Sequence, residues 1–357
     1  MLVTTLVLIG HFFINQFQLL VNRKVVYYFF GFIAVAVFLY YATQITYTAD
    51  YDMYNSLYDW EFEDTDILFR NMVLSFKANS WGFHALFATH VAAYTLLYYF
   101  FVLKFNPNAF YIVTVFIALM FIPYINQIRY FLAFAFFLFA AYYLLYNRKL
   151  ILFALFAVLG FMSHSAIVVL YIYFLVYLFV PEKLYEKVLK FSAVILFVAS
   201  YVVSKTAIVT YFEHFGGYMS DENQSSVLGG IFNILPIVAI VFPIYLLDRR
   251  YRGDRTNKTY IFLKKSTVFS VIMVPASIFI QIIGQRYVFP FLIIWIIFFL
   301  FLIKDRSYPT RVRYIIFSYI LIALVLYLQY GLAYVIFGES FFVEELVKSI
   351  ESIESLK

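Results

Sequence analysis

The chain is a succession of apolar segments, most of them near the length that crosses a lipid bilayer, separated by short polar turns. A helix needs about 20 apolar residues to span the hydrocarbon core. Hydrophobic residues fill 65% of the 357 positions, which is more than a soluble domain can bury. We therefore predict an all-α polytopic membrane protein with roughly 11–12 transmembrane helices, formed as a single transmembrane domain over residues 1–357.

The basic residues indicate how the chain threads through the membrane. Most of the 26 Lys and Arg lie in short turns between apolar segments, which is typical of cytoplasmic loops. The most basic loop, 248–265, is therefore predicted to be cytoplasmic. This threading requires the apolar segment Leu150–Val180 to enter the membrane and return to the side from which it came. Both termini are then predicted to lie outside. The C-terminal tail is residues 339–357. The polar loops 47–80 and 213–230 then become extracytoplasmic.

Composition excludes several classes of chemistry. The sequence contains no cysteine, so disulfides, thiolate catalysis and Cys-based metal sites are ruled out. No His-x-x-x-His or carboxylate–His spacing supports a metal site, and we expect neither a metal nor a cofactor. The net charge of +6 comes from the loops between apolar segments, so it does not indicate nucleic acid as a partner.

Two arginines lie in similar polar surroundings at predicted outer ends of helices. Each stands beside an amide and near a tyrosine, Arg129 in Asn126-Gln127-Ile128-Arg129-Tyr130 and Arg286 in Gly284-Gln285-Arg286-Tyr287. Either arginine alone is typical of a structural ion pair or an interfacial anchor. Two guanidinium groups on one face suit a phosphate or diphosphate, because the planar fork keeps its charge and donates in pairs. The candidate ligand-binding residues are Arg129, Arg286, Gln127, Asn126, Gln285, Tyr51 and Tyr287.

A histidine interrupts the long apolar segment Leu150–Val180. His164 lies between Ser163 and Ser165, whose hydroxyls could satisfy the ring nitrogens. A single histidine in a membrane segment is more often a packed, hydrogen-bonded one. At a helix break on the predicted outer face of the membrane, however, a histidine is well placed for proton transfer. We therefore take His164 as a candidate catalytic base.

Two carboxylates follow directly on the end of a predicted span. Asp50 and Asp52 occur in Thr48-Ala49-Asp50-Tyr51-Asp52, where a side chain is positioned by the preceding helix. They are alternative candidates for a catalytic base or for an acceptor of sugar hydroxyl groups. The acidic residues from Glu61 to Asp66 are interpreted as a solvated part of the same loop.

The sequence resembles the EpsG family of Wzy-type polysaccharide polymerases. The resemblance covers roughly residues 50–287 and rests on three short motifs and the late arginine motif. The motifs are Ala49-Asp50-Tyr51-Asp52 with Tyr54 and Tyr58, Asn126-Gln127-Ile128-Arg129 followed by Phe131-Leu132-Ala133, Phe161-Met162-Ser163-His164-Ser165-Ala166, and Gly284-Gln285-Arg286-Tyr287.

The resemblance implies a fold similar to the GT-C class and a position in the bacterial cytoplasmic membrane with the active site facing outward. It implies a glycosyltransferase that passes a growing glycan from undecaprenyl diphosphate onto a lipid-linked repeat unit. The product would be O-antigen, capsule or exopolysaccharide. Its implied partners are undecaprenyl-diphosphate-linked glycans, membrane lipids, a chain-length regulator and a flippase.

Two other function classes fit the same residues. A transporter or flippase for a lipid-linked or anionic solute would use the arginines as ligands, but it favours ionisable residues near mid-membrane and repeat symmetry. A membrane O-acyltransferase would need a polar cluster toward the cytoplasm for its acyl donor. The polar residues here cluster at one predicted face, which favours chemistry at the outer surface.

Overall fold

The computed structural model of the protein describes residues 2–60, 66–205, 227–280, 283–304, 306–328 and 341–355. Every regular element within these ranges is helical, and seven helices are long and apolar enough to cross a membrane. They are Lys24–Ala42, Phe83–Leu103, Ala109–Asn126, Ile128–Tyr146, Glu182–Ser204, Gly284–Ile303 and Tyr308–Leu326. The predicted all-α polytopic membrane fold is thus confirmed, while the count of 11–12 spans stays a prediction.

Most neighbouring helices within the described ranges are joined by short connections. In chain order they are α1 (Leu2–Val21), α2 (Lys24–Ala42), α3 (Tyr51–Trp60), α4 (Ile67–Ala78), α5 (Phe83–Leu103), α6 (Ala109–Asn126), α7 (Ile128–Ala141), α8 (Leu150–Ser163), α9 (Val168–Phe179), α10 (Glu182–Lys205), α11 (Val227–Arg249), α12 (Lys258–Val271), α13 (Leu292–Ile303), α14 (Tyr308–Leu326) and α15 (Phe341–Glu354). They form two compact units, residues 1–169 with 312–357, and residues 170–311.

The core of the first unit is built on α6 and α7, which are its most buried spans. Helix α7 packs on α5 and α8, and α2 packs on α6. Helices α2 and α6 approach each other closely because α2 has a glycine, Gly31, at the contact. A Cβ atom at Gly31 would lie 3.1 Å from the Cβ of Ala109 and 3.3 Å from the ring of Tyr99. Small residues at such crossings let helix backbones approach in membranes, so Gly31 sets the spacing of these helices.

The predicted outer loop 47–80 is largely helical, since it contains α3 and α4. Aromatic residues at helical spacing are buried on one side of each helix, Tyr51, Tyr54 and Tyr58 on α3 and Phe69 and Phe76 on α4, whereas Trp60 is exposed. Tyr51 packs edge-on against Phe83 of α5, with ring centroids 4.8 Å apart. These rings anchor the loop on the membrane helices. Residues 61–65, within this loop, lie outside the described residues.

The break predicted in Leu150–Val180 is confirmed. Helix α8 ends at Ser163, His164 takes an extended conformation with φ −163° and ψ 116°, and a 3₁₀ turn over Ser165–Ile167 leads into α9. A second corner lies between α6 and α7, where Gln127 is the one non-helical residue. Pro123, one turn earlier, lacks the N–H needed to continue the α6 ladder.

The apolar segment after Lys265 in the second unit is not one continuous helix. Helix α12 ends at Val271, and a 3₁₀ turn follows at Ala276–Ile278. Pro275 and its missing N–H contribute to this end. Because α12 already begins at Lys258, the connection after α11 is also shorter than the predicted loop 248–265. Most of the predicted loop 213–230, and part of the tail 339–357, lie outside the described residues.

Candidate active site

The carboxylate of Asp66 joins two of the side chains on which the sequence argument rests. Its Oδ2 lies 2.9 Å from a terminal nitrogen (Nη1) of Arg129 and 2.8 Å from Nδ1 of His164. Its Oδ1 accepts a hydrogen bond of 3.1 Å from the backbone N–H of Ser165. The three side chains are only 10–16% exposed. Arg129 and His164 thus share one anionic partner in a largely buried cluster.

Each member of the cluster stands at the start of a helix. Asp66 directly precedes α4, Arg129 is the second residue of α7, and His164 precedes the 3₁₀ turn that leads into α9. Helix N-termini present free N–H groups and a positive potential, which favour a carboxylate or a phosphate. A cation such as Arg129 is disfavoured at a helix N-terminus, and the ion pair with Asp66 offsets this unfavourable interaction. The meeting of these three helix starts makes an environment suited to anions.

The guanidinium of Arg129 is fixed by aromatic rings. Its central carbon lies 5.1 Å from the ring centroid of Tyr54 and 5.3 Å from that of Phe69. Cation–π contacts of this kind hold the plane of the group while leaving its edges to donate hydrogen bonds. The buried Nε of Arg129 has no hydrogen-bond partner among the described residues. This donor can serve an anionic ligand in addition to Asp66.

Opposing effects set the pKa of Asp66. Burial would raise the pKa of this carboxyl group, but the hydrogen bond with His164, the charges of His164 and Arg129 and the N–H of Ser165 together hold it below its usual value. Asp66 is therefore ionised under ordinary conditions. Removing one partner of a buried ion pair costs about 3–5 kcal/mol, so Asp66 supports the structure of the cluster as well as its charge balance.

The surroundings of His164 differ from the sequence prediction. The hydroxyl of Ser163 donates to the backbone oxygen of Leu159 in its own helix, and Ser165 uses its backbone N–H toward Asp66. The partner of the imidazole is therefore Asp66 rather than either serine hydroxyl. The ring of Tyr130 stands edge-on to the imidazole, with centroids 5.7 Å apart. Asp66 and Tyr130 together fix the orientation of His164.

The interpretation of Asp66 as part of a solvated acidic loop is wrong. The residue lies 63 positions before Arg129 and 98 before His164, so local spacing gives no sign of their contact. One signal was present in the sequence. An aspartate directly before the apolar residues that open α4 is typical of the start of a helix, where a side chain is positioned rather than free.

The other early candidates lie on the same unit in varied roles. The backbone N–H of Asp50 donates to Oδ1 of Asn126 at 2.7 Å, which ties the start of α3 to the end of α6. The hydroxyl of Tyr51 lies 3.3 Å from Nδ1 of His84. Asp52 is exposed in the first turn of α3, and Gln127 is buried at the corner between α6 and α7.

The late arginine motif belongs to the second unit. Gln285, Arg286 and Tyr287 lie on a π-helical turn, Gly284–Val288, which precedes a 3₁₀ turn at Phe289–Phe291 and then α13. Such π-helical turns are frequent at functional sites. The predicted use of Arg286 together with Arg129 stays a prediction. The described part of the chain holds no group of three or more His, Asp or Glu residues that could bind a metal ion.

Comparison with known proteins gives one match. The model of the EpsG family matches residues 27–342, a range that includes Asp66, Arg129, His164 and Arg286. No curated protein and no solved structure matches the chain.

Proposed function

The chain belongs to the EpsG family, and on that premise we propose that it joins undecaprenyl-diphosphate-linked oligosaccharides into a surface polysaccharide. Family membership and the helical fold indicate a polysaccharide-related, multi-pass membrane protein. The proposal adds the reaction, which is glycosyl transfer between two lipid-linked glycans. It also adds the location, at the outer face of the bacterial cytoplasmic membrane, in a fold similar to the GT-C class.

The observation that carries the proposal is the position of Asp66 between Arg129 and His164. Glycosyl transfer from a lipid diphosphate needs a cationic group for the leaving diphosphate and a base for the acceptor hydroxyl. Arg129 and His164 supply these two groups within one cluster. The donor brings its own leaving group, so the reaction requires neither a nucleotide sugar nor a metal site.

In the proposed reaction, the acceptor sugar hydroxyl attacks the anomeric carbon of the donor glycan. The new glycosidic C–O bond forms as the bond from the anomeric carbon to the diphosphate oxygen breaks, and the electron pair leaves with undecaprenyl diphosphate. His164 accepts the hydroxyl proton. Because Nδ1 faces Asp66, the proton passes to Nε2, and the nearby carboxylate stabilises the imidazolium that forms.

The remaining candidates receive supporting roles in the proposal. Arg129 binds the diphosphate through donors other than the one that contacts Asp66, and Arg286 is proposed as a second diphosphate ligand. Asp50 and Asp52 are proposed to accept hydrogen bonds from sugar hydroxyls, and they compete with His164 for the role of base. Contacts to sugar or diphosphate are proposed for Asn126, Gln127, Gln285, Tyr51 and Tyr287.

A single incubation tests the function. Purified protein receives an undecaprenyl-diphosphate-linked repeat unit as its one substrate, and the products are separated by length. A polymerase yields a ladder of glycans that differ by one repeat unit, and free undecaprenyl diphosphate appears in proportion to the bonds formed. Unchanged substrate in every preparation would refute the proposal. A flippase or an O-acyltransferase gives no ladder under these conditions.

A further inference from the structure

The second unit contains a cavity of about 290 Å³ that the proposed reaction does not use. Three helices line this cavity, and the lining residues have the same sequence spacing in each helix. Helix α10 contributes residues 186, 189, 190 and 193, α11 contributes 241, 244, 245 and 248, and α12 contributes 264, 267, 268 and 271. Positions i, i+3, i+4 and i+7 lie on one face of a helix. Each helix therefore turns one continuous stripe toward the cavity.

Three of the four charged residues of these stripes meet at one end of the cavity. The ammonium of Lys264 lies 3.2 Å from a carboxylate oxygen of Glu186 and 3.4 Å from one of Asp248. The other ends of the stripes are Ala193, Val241 and Val271. Seven residues of helix rise about 10 Å. The cavity thus has a charged end and, beyond it, a mostly apolar wall about 10 Å long that also carries Lys190 and Thr267.

The charges and the apolar wall match part of a phospholipid, with the headgroup at the charged end, the first part of an acyl chain along the wall, and the rest of the lipid outside the cavity. The volume is close to the lower bound of about 300 Å³ for ligand pockets. The lysines in the first turns of α10 and the basic segment that follows α11 place the charged end at the predicted cytoplasmic surface, where the headgroups of the inner leaflet lie. Lysines near a membrane surface commonly bind lipid phosphates.

The balance of charge selects the headgroup. Glu186 and Asp248 together carry one more charge than Lys264 neutralises, which leaves a net negative group. Lys190 is exposed on the wall of the same cavity and makes no ion pair with any residue that the structure describes. A headgroup with a phosphate for Lys190 and a primary ammonium for Glu186 satisfies both. An anionic headgroup would leave the one carboxylate charge that Lys264 does not neutralise without a cation.

We propose that this cavity is a binding site for a zwitterionic aminophospholipid, phosphatidylethanolamine, in the cytoplasmic leaflet. Its phosphate contacts Lys190 and its ammonium donates to Glu186 beside Lys264. Phosphatidylcholine carries a quaternary ammonium without N–H donors, so it binds more weakly. The site is independent of the proposed glycosyl transfer, and its failure would leave that proposal unchanged.

Native mass spectrometry of the purified full-length protein tests the site. Delipidated protein is mixed with phosphatidylethanolamine, phosphatidylcholine and phosphatidylglycerol, each in turn and in competition. We expect phosphatidylethanolamine to bind about tenfold more tightly than either competitor, which corresponds to about 1.4 kcal/mol. Preference for phosphatidylglycerol, or equal binding of all three lipids, would overturn the assignment.

Two pairs of variants localise the bound lipid. Lys190→Glu reverses the proposed phosphate contact, and Lys187→Glu makes the same change at an exposed position outside the cavity lining. Ala193→Phe fills the apolar wall, and its control is the neighbouring exposed Val194→Phe. We expect each lining variant to weaken phosphatidylethanolamine binding at least about tenfold, while each control binds as wild type. Thermal unfolding verifies that all four fold, and equal loss in variants and controls contradicts the proposal.

Discussion

At the residue scale, the central feature is that Asp66 contacts the two groups most suited to the chemistry. A guanidinium and an imidazole that share one carboxylate are held at fixed positions before any substrate binds. The carboxylate, in turn, is held by charges and by an N–H at a helix start. Function and local stability are therefore coupled at this residue, and the two can be separated by experiment.

The depressed pKa of Asp66 predicts how pH affects stability. Because the folded value lies below the unfolded value of about 3.9, the ionised carboxylate stabilises the fold fully above that value. The contribution is lost as pH falls through the lower folded pKa. We expect the difference in Tm between wild type and Asp66→Asn to be constant above about pH 5 and to shrink at lower pH. A difference that grows on acidification contradicts the described ion pairs.

The geometry of Arg129 predicts that a lysine cannot replace it. Arg129→Lys keeps the charge but loses the planar fork and the Nε donor, so we expect chain extension to fall at least about tenfold while the protein still accumulates in the membrane. Arg70→Lys is the matched control, because Arg70 is exposed on α4. The same loss is expected for Arg286→Lys. Wild-type polymer length in the Arg129 variant would show that a positive charge alone is sufficient.

At the element scale, the cluster depends on two interruptions in apolar helices, at Gln127 and at His164, and on the start of α4 after Asp66. The sequence predicts the interruption at His164 and the polar corner near Gln127, because polar residues are conspicuous against apolar neighbours. It does not predict the end of α12 at Val271, since an apolar run looks the same whether it is one helix or a helix followed by turns. The sequence also does not predict that one side of α3 and of α4 is buried, because polar residues separate the aromatic residues of these sides along the chain.

The close contact between α2 and α6 gives a prediction at this scale. A side chain at Gly31 would meet Ala109 and Tyr99, so Gly31→Val should push the helices apart and lower stability by about 1–3 kcal/mol. Gly10→Val is the matched control, because no atom lies within 4 Å of a Cβ placed at Gly10. Thermal unfolding in detergent measures both. Equal Tm values for the two variants would contradict the described helix contact.

At the scale of the whole molecule, hydropathy is enough to predict a helical membrane protein, and the family match agrees with the resemblance of its motifs. The contact of Asp66 with Arg129 and His164 could not be predicted, because it joins residues 63 and 98 positions apart through tertiary packing. Charge along the sequence predicts which side of the membrane each loop occupies, and that prediction is open to direct test.

The threading predicts where reporters will lie. A reporter fused after Arg252 should be cytoplasmic, and reporters inserted near Asp64 and Gln224 should be external, because the basic turns favour the cytoplasm. Accessibility of each reporter to a membrane-impermeant reagent measures the side. The same side for Asp64 and Arg252 would remove the basis for an outward-facing site.

The central claim is that Asp66, Arg129 and His164 act as one unit in glycosyl transfer, and a double-mutant cycle tests it most directly. Rates of ladder formation are measured for wild type, Asp66→Asn, His164→Gln and the double variant, with Asp59→Asn as control, because Asp59 is exposed on α3. A general base contributes about 10²–10⁴-fold, so we predict that each single variant loses a rate factor in that range. If the residues act together, the double variant loses little more than the worse single variant. Losses that multiply in the double variant, or an Asp66→Asn enzyme as active as Asp59→Asn, would contradict the claim.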